Sequence, residues 1–329
     1  MKALKKGTIA RIAVFCVLIV ALYILPFLSI DSTNVLRILL SVALYCTLGQ
    51  MWNLMSGFTG MISLGHQIFI GLAGYSVAVF TATYGLPFWM GMLFGGLVSA
   101  LMSALLSALL FRMRGMYFAI ATWVTAEAMK IVFTSWEFVK RGAGMTIKAR
   151  PYPTTAEIYL MAVTLAILAI VVVYFVLNSR IGLGLTAMRD DSDAAASVGV
   201  NIFRSRIICY MISAFITGLA GSLFYLNQGS IFPGQGFGNS WTVAAVFIVI
   251  IGGIGSMSGP ILGAAIYVAL NEFLSQYPGF SMIILGGIAI LVIHGMPNGV
   301  LGTLERKLGF EVLSSRRHSH DLEHISKAR

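Results

Sequence analysis

Apolar stretches long enough to cross a lipid bilayer recur along almost the whole chain, and no other feature restricts its fold so strongly. About 20 apolar residues span the hydrocarbon core as a helix. Such stretches occupy residues 10–30, 35–55, 61–83, 87–111, 116–134, 157–178, 207–227, 241–257, 260–277 and 280–297. Hydrophobic residues make up 58% of the 329, and charged residues only 10%. Soluble domains carry roughly 25% charged residues. A soluble fold of this length has no interior large enough for so much apolar surface, so lipid must be its solvent. The expected fold is an all-α polytopic membrane protein with about ten transmembrane helices, because helices satisfy their own backbone groups in lipid.

The N-terminal run also invites comparison with a signal peptide, whose apolar core is about 7–15 residues and ends at a small-residue site. Here the run extends from Ile12 to Ile30 and ends in Pro-Phe-Leu-Ser-Ile, which fits an uncleaved first span. The formal net charge is +10. Lys and Arg cluster at span ends and tails, with no interleaved aromatics, so the charge reflects the positive-inside rule rather than nucleic-acid binding. Lys2, Lys5, Lys6 and Arg11 place the N-terminus in the cytoplasm. Alternation then puts Arg112, Arg114, the segment 179–206 and the tail with Arg306, Lys307, Arg316 and Arg317 on that side, so both termini are expected there. Loop 135–156 falls outside despite Lys140, Arg141, Lys148 and Arg150, the one exception to the rule. The expected organisation is a permease domain over 1–302, containing the cytoplasmic loop 179–206, and a basic tail over 303–329.

Glycines recur at four-residue spacing at Gly91 and Gly95, at Gly255, Gly259 and Gly263, and at Gly295 and Gly299. In lipid such spacing lets helix backbones approach closely. Catalytic signatures are missing: there is no GxxxxGK[ST] loop, no HExxH and no GxSxG. The glycine runs 234–238 and 252–259 lack the preceding strand that a nucleotide fingerprint needs. Cys16, Cys46 and Cys209 lie in apolar runs, without metal or disulfide spacing. No catalytic residue, metal site or cofactor is expected. Ionisable groups inside spans are costly and often functional. Glu127 and Lys130, at i and i+3, form either a structural pair or a polar patch on a solute path. His66 is either a packed, hydrogen-bonded residue or a solute contact. Glu272 and His294 fall near an interface, and His318, His320 and His324 in a solvated tail.

The best-marked feature is a charged, alanine-rich insert, TAMRDDSDAAASVGVNIFRSR at 186–206. Ser192 is placed to cap a short helix, with Asp193 in its first turn where negative charge suits the dipole. Ala194, Ala195 and Ala196 favour helix, and Gly199 is suited to end it. A helix of about two turns is unstable alone, so it must dock on something.

Asp193-Ala194-Ala195, three residues and Gly199 resemble the "EAA, three residues, G" loop of ABC importer permeases, with Asp replacing Glu. WNLMSGFTGMISLGHQIFIGLAGY at 52–75, SRIGLGLTAMRDDSDAAASVGVNIFRSRIICYMISAFITGLAGSLF at 179–224 and IIGGIGSMSGPILGAAIYVALNEFL at 250–274 are similar to segments of the LivM-type branched-chain amino acid permeases. Glu127, within YFAIATWVTAEAMKIVF at 117–133, stands where that family commonly has Glu. The resemblance covers about residues 35–300. It implies an importer with two permease subunits (here paired with a homologous partner), two ATP-binding cassette subunits and an external solute-binding protein. ATP hydrolysis would reside in the separate ATPase subunits. The implied fold has inverted repeats, echoed faintly by Gly60 and Ser63 before Gly71, and Gly255 and Ser258 before Gly263. The loop KRGAGMTIKAR departs from the family's "T-G-G-x-x-G". The solute is thus a branched-chain amino acid or a related urea, amide or aromatic acid.

On that resemblance, residues 189–199 are the coupling helix. Arg189, Asp190, Asp191 and Asp193 would make polar contacts to the ATPase at the rim of the dock. Ala194, Ala195 and Gly199 would allow close approach. Ser63, His66, Glu127, Gly252, Gly253 and Gly255 are the candidates for the solute path. The alternatives are a secondary transporter driven by an ion gradient, with broken helices around 252–260, and a passive channel.

Overall fold

The computed structural model describes residues 20–27, 33–274, 281–296 and 299–308. Expectations for the start of the first span, Cys16 and the tail beyond Leu308 lie outside these residues. Twelve helices of a turn and a half or more carry the described fold. They are α1 (Thr33–Ser56), α2 (Gln67–Ala82), α3 (Phe88–Leu110), α4 (Met116–Ser135), α5 (Thr155–Asn178) and α6 (Arg180–Asp190). The rest are α7 (Ser192–Ser197), α8 (Ile202–Gln228), α9 (Ser240–Gly252), α10 (Gly259–Leu274), α11 (Ser281–Gly295) and α12 (Gly299–Leu308). Two-residue strands, β1 (Met145–Thr146) and β2 (Ser230–Ile231), pair antiparallel with Met145 opposite Ile231.

Six described helices are long and apolar enough to cross a membrane: α1, α3, α4, α5, α8, and α9 with the turn before it. The expected limits 35–55, 87–111, 116–134 and 157–178 agree with α1, α3, α4 and α5 to within two residues. α5 starts where Thr154 and Glu157 form a reciprocal capping box. α8 begins five residues before its expected start, capped by Asn201, whose side chain accepts from the Arg204 amide. Elsewhere the expectation needs correction. The span expected over 61–83 is helical only from Gln67, and that expected over 241–257 stops at Gly252. Residues 57–66 and 253–258 are non-helical. The cause is local, because Gly60, Gly253 and Gly255 all take positive φ, which side-chain-bearing residues avoid. The helices that follow, α2 and α10, have 16 residues each. At 1.5 Å per residue, each reaches about 24 Å, short of the roughly 30 Å hydrocarbon core.

The packing is inverted relative to a soluble bundle. α3 buries Gly91, Gly95, Ser99, Ser103 and Ser107 at every fourth position. On its other side Leu93, Leu97, Leu101, Leu105 and Leu109 are 46–63% exposed. Large residues outward and small ones inward is the arrangement lipid favours. The small stripe brings backbones together: a Cβ on Gly95 would lie 2.9 Å from Ala73 Cα of α2. Ser99 Oγ donates across this contact to Phe69 O at 3.1 Å. The four-residue spacing at Gly91 and Gly95 thus marks real helix contact, whereas Gly295 faces open space. α8 packs against α1, α2 and α3 and carries much of the buried core, including Cys209, Tyr210 and Tyr225.

Loops alternate between the two ends. One end collects residues 57–60, the α3–α4 turn, α6, α7 and residues 253–255, tied by contacts such as Arg114 Nη1 to Asp193 Oδ1 at 3.5 Å. The opposite end holds the basic loop 136–154. Ile147 N donates to Gly229 O at 2.9 Å there, and Lys148 N to Thr81 Oγ1 at 3.3 Å. α12 runs across residue 302, where the tail was expected to begin.

Candidate functional site

The charged insert folds into two helices. Ser179 caps α6, accepting from the Gly182 amide at 3.3 Å. The cap of α7 is Asp191 and not Ser192, which is the first helical residue. Asp191 Oδ1 accepts from the amides of Asp193 at 2.9 Å and Ala194 at 3.0 Å. Those amides hold its carboxyl below the usual carboxylate range. Gly199, at φ 90°, closes α7. Val200 N donates to Ala195 O and Gly199 N to Ala196 O, the paired bonds of a Schellman motif.

Exposure divides the expected docking residues. Asp190 and Asp193 present 77% of their side chains to solvent, and Ala194 and Gly199 are also exposed. Ala195 is only 3% exposed and packs on the body of this chain, so it cannot serve as a contact for a partner. Val198, unremarked in the sequence, is 80% exposed and is the most prominent apolar group on this surface. Arg189 stays about half exposed but is also tied to the body of the chain. Its Nη1 donates to Gly57 O at 2.8 Å, and its Nε lies 3.6 Å from Asp190 Oδ1.

Gly57 and Gly255 belong to the two non-helical segments, and they touch. A Cβ on Gly57 would lie 2.6 Å from Gly255 N. A Cβ on Gly255 would lie 3.0 Å from Arg189 Nη1. The guanidinium therefore covers the point where the two breaks meet. Unpaired peptide groups are very costly in lipid, and α1 supplies partners for both segments. Gln50 Nε2 donates to Met257 O at 2.7 Å, and Asn53 Nδ2 to Ser256 O at 2.8 Å. Asn53 Oδ1 accepts from Gly255 N at 2.9 Å. Trp52 Nε1, on the neighbouring face, donates to Ser63 O at 2.8 Å.

The residues expected along a solute path are distributed differently. Ser63 and His66 are completely buried. Ser63 Oγ accepts from Gly65 N, and His66 Nε2 lies 3.0 Å from Ser213 Oγ, which donates to Met51 O at 3.1 Å. With the single serine proton given to Met51, His66 Nε2 is the donor in this pair. Gly252, Gly253 and Gly255 bend the second break: Gly252 backs onto Gly259, and Gly253 onto Gly299. Glu127 is half-exposed on α4 and paired with Lys130.

An open cleft of about 430 Å³ lies elsewhere, lined by Leu64, Trp123, Thr242, Val246, Phe247 and Leu285 among others. None of Ser63, His66, Gly252, Gly253 and Gly255 lines it. Its walls are apolar, with a polar corner where Asn239 and Thr242 reach Gln67. Glu127 lies one helical turn from Trp123 on the same face of α4. The sequence reading passed over Asn239 and Thr242. Their signal was two polar residues three apart at the start of an apolar run.

A family model described as branched-chain amino acid transport system / permease component matches residues 34–293. The chain belongs to this family. It is a membrane subunit of an ABC transporter, of the LivM type. The high-affinity branched-chain amino acid transport system permease protein LivM of Escherichia coli is 27% identical over 333 residues, covering 92% of this chain and 77% of the relative. The protein of the same name from Salmonella typhimurium is 27% identical over 290 residues, 78% of this chain and 68% of the relative. LivH of Salmonella typhimurium is 31% identical over 155 residues, covering 46% and 49% of the two chains. No solved structure matches the chain. Within the family, the breaks at 57–66 and 253–258 fall inside the matched region, as do α6 and α7.

Proposed function

We propose that this permease is one of two membrane subunits of an ATP-driven importer. It passes a branched-chain amino acid, or a related small amphipathic solute, from an external binding protein to the cytoplasm. The observation that carries the reading is α7. It is a capped helix too short to stand alone, with Asp190, Asp193, Ala194 and Val198 left uncovered. That surface suits the cleft of an ATPase subunit, which supplies the ATP hydrolysis this chain lacks motifs for.

Two ATP-binding cassette subunits would engage two such surfaces, one on this chain and one on a homologous permease partner. Similarity to both LivM and LivH supports a heteromeric pair. Arg112, Arg114, Arg180, Arg204 and Arg206 lie at or beside the α6–α7 end, which supports reading that end as cytoplasmic. Both termini then lie in the cytoplasm of the inner membrane, the chain divides into a permease domain and a basic tail near 303–329, and loop 136–154 faces the binding protein. ATPase closure would push α6 and α7 and rock the spans between inward- and outward-facing states. The cleft between α4, α9 and α11 is the seat we assign to the solute. Its volume is within the usual range of small-molecule sites. Apolar walls suit a branched side chain, and Asn239 and Thr242, held by the buried Gln67, suit a zwitterionic head, with Glu127 nearby. Ser63, His66, Gly252, Gly253 and Gly255 then shape the path without touching the solute.

Gly199→Arg tests the reading, because an arginine at φ 90° unseats the end of α7 and fills the space a partner would occupy. ATP hydrolysis should continue without uptake in reconstituted vesicles. Normal uptake would count against docking. A gradient-driven carrier is the second reading, favoured by the two broken segments. Against it, the peptide groups of residues 255–257 are already bonded to Gln50 and Asn53, leaving them committed and not free for an ion. Uptake that follows a gradient with no ATP inside the vesicles would establish this alternative.

A further inference from the structure

A signal arriving at α7 must reach two separate spans if both halves of the bundle are to move together. Arg189 is the residue placed to do this. It occupies the last turn of α6, two positions before the Asp191 cap of α7. A displacement of α7 therefore displaces Arg189 through only one intervening residue. Arg189 reaches the first break through Gly57 O, and its Cγ also packs against Gly60, where a Cβ would lie 3.4 Å away. It reaches the second break at Gly255, beside the same Nη1. Asn53 then ties the two breaks to α1: its carbonyl accepts from Gly57 N at 2.8 Å while its side chain binds Gly255 N and Ser256 O.

We propose that Arg189 is a positioning residue that links α6 and α7 to both broken spans at once, so that the two breaks shift together when α7 is displaced. The inference rests on the coupling role proposed above. A lysine would keep the charge, but not the planar guanidinium whose Nη1 both bonds Gly57 O and lies against Gly255. Glycine at 57 and 255 is required on this account, because a methyl group on either would enter the contact.

The test uses the whole transporter, with its ATPase and permease partner subunits, in lipid nanodiscs. Amide hydrogen exchange is followed at residues 57–60, 192–200 and 253–257, with and without Mg-ATP. In the unaltered protein all three segments should respond to nucleotide. In Arg189→Ala, 192–200 should still respond while both breaks fall silent. Solute carried per ATP hydrolysed should then drop by at least about fivefold, the low end of ordinary coupling between sites. In Arg189→Lys the responses at 57–60 and at 253–257 should both weaken, because the one nitrogen that serves both contacts is lost. Breaks that respond in Arg189→Ala as they do in the unaltered protein overturn the inference while leaving docking intact. If Arg189→Ala does not assemble, Arg189→Lys decides alone, and an unchanged response at 253–257 overturns it. A segment 192–200 that ignores nucleotide in the unaltered protein overturns the coupling reading itself, and the inference with it.

Discussion

The two broken segments solve the same problem by different means. Both precede a 16-residue helix and both leave peptide groups to be satisfied inside the bundle. Around residues 57–66 the partners come from many places: Trp52 on α1, Thr122 on α4 and Thr242 on α9. Around residues 253–258 they come mainly from one place, the Gln50 and Asn53 side chains of α1. The first segment is a distributed network with local redundancy. The second is a glycine-rich bend held by one face of one helix. A segment held from one place can be released by one change, whereas a distributed network yields only in parts.

If that contrast is real, the largest effect should come from Asn53→Ala. Two backbone groups of the second break lose their partner at once, each at about 1–3 kcal/mol for a buried unpaired group. The unfolding midpoint of the detergent-solubilised transporter should fall more for this variant than for any other here. Trp52→Phe leaves only Ser63 O unpaired in the first break, so its loss should stay near about 1–2 kcal/mol. Equal losses for the two variants would erase the distinction between the segments. Ser213→Ala removes the bridge between His66 and Met51 and should cost about 1 kcal/mol. If it matches Asn53→Ala, the first segment is not redundant after all.

Two controls outside the breaks should give smaller effects. Asp191 titrates below the ordinary carboxylate value of about 3.9, since its charged form accepts two amides. Its folded pKa is depressed, so its contribution to α7 is fully present above that ordinary value. It is lost as pH falls through the lower folded value. Protection of the Asp193 and Ala194 amides, relative to their intrinsic exchange at each pH, should therefore stay constant from neutral pH down to about 5 and fall only below about 4. Asp191→Asn should keep the cap and remove this pH dependence. Glu127→Gln should be the mildest in stability, because an exposed ion pair is worth about 0–1 kcal/mol. A disproportionate fall in uptake in this variant would place Glu127 on the solute path.

Much of the membrane architecture was legible in the chain. Uninterrupted apolar runs located α1, α3, α4 and α5, because in lipid every backbone group must bond within its own helix. The same logic failed at 61–66 and 253–257, where side chains of α1, and at the first break also of α4 and α9, replace the missing intrahelical bonds. A hydropathy reading registers only that such residues are apolar, so it ran helix straight through them. The charged insert was legible as a short capped helix, but its cap was misplaced by one residue. Asp and Ser are both good caps, and only the amides of Asp193 and Ala194 decide between them. Arg189 was read only as a polar contact at the rim of the dock, since its charge was visible and its bond to Gly57 O was not. Ser63 and His66 stood out for being polar in an apolar stretch, and the structure buries both and bonds them within the bundle. Asn239 and Thr242 were missed because the cleft they line is assembled from α4, α9 and α11, elements far apart in sequence.

The inward stripe of small residues on α3 also predicts how this protein tolerates change. In a water-soluble helix the exposed face accepts almost anything polar and the buried face resists it. On α3 the outer positions 93, 97, 101, 105 and 109 should accept any bulky apolar residue and reject charge. At 91, 95, 99, 103 and 107 the criterion becomes size alone, so even an isoleucine, ideal for lipid, is excluded. Sequence variation along this helix should therefore be sorted by volume on one face and by polarity on the other.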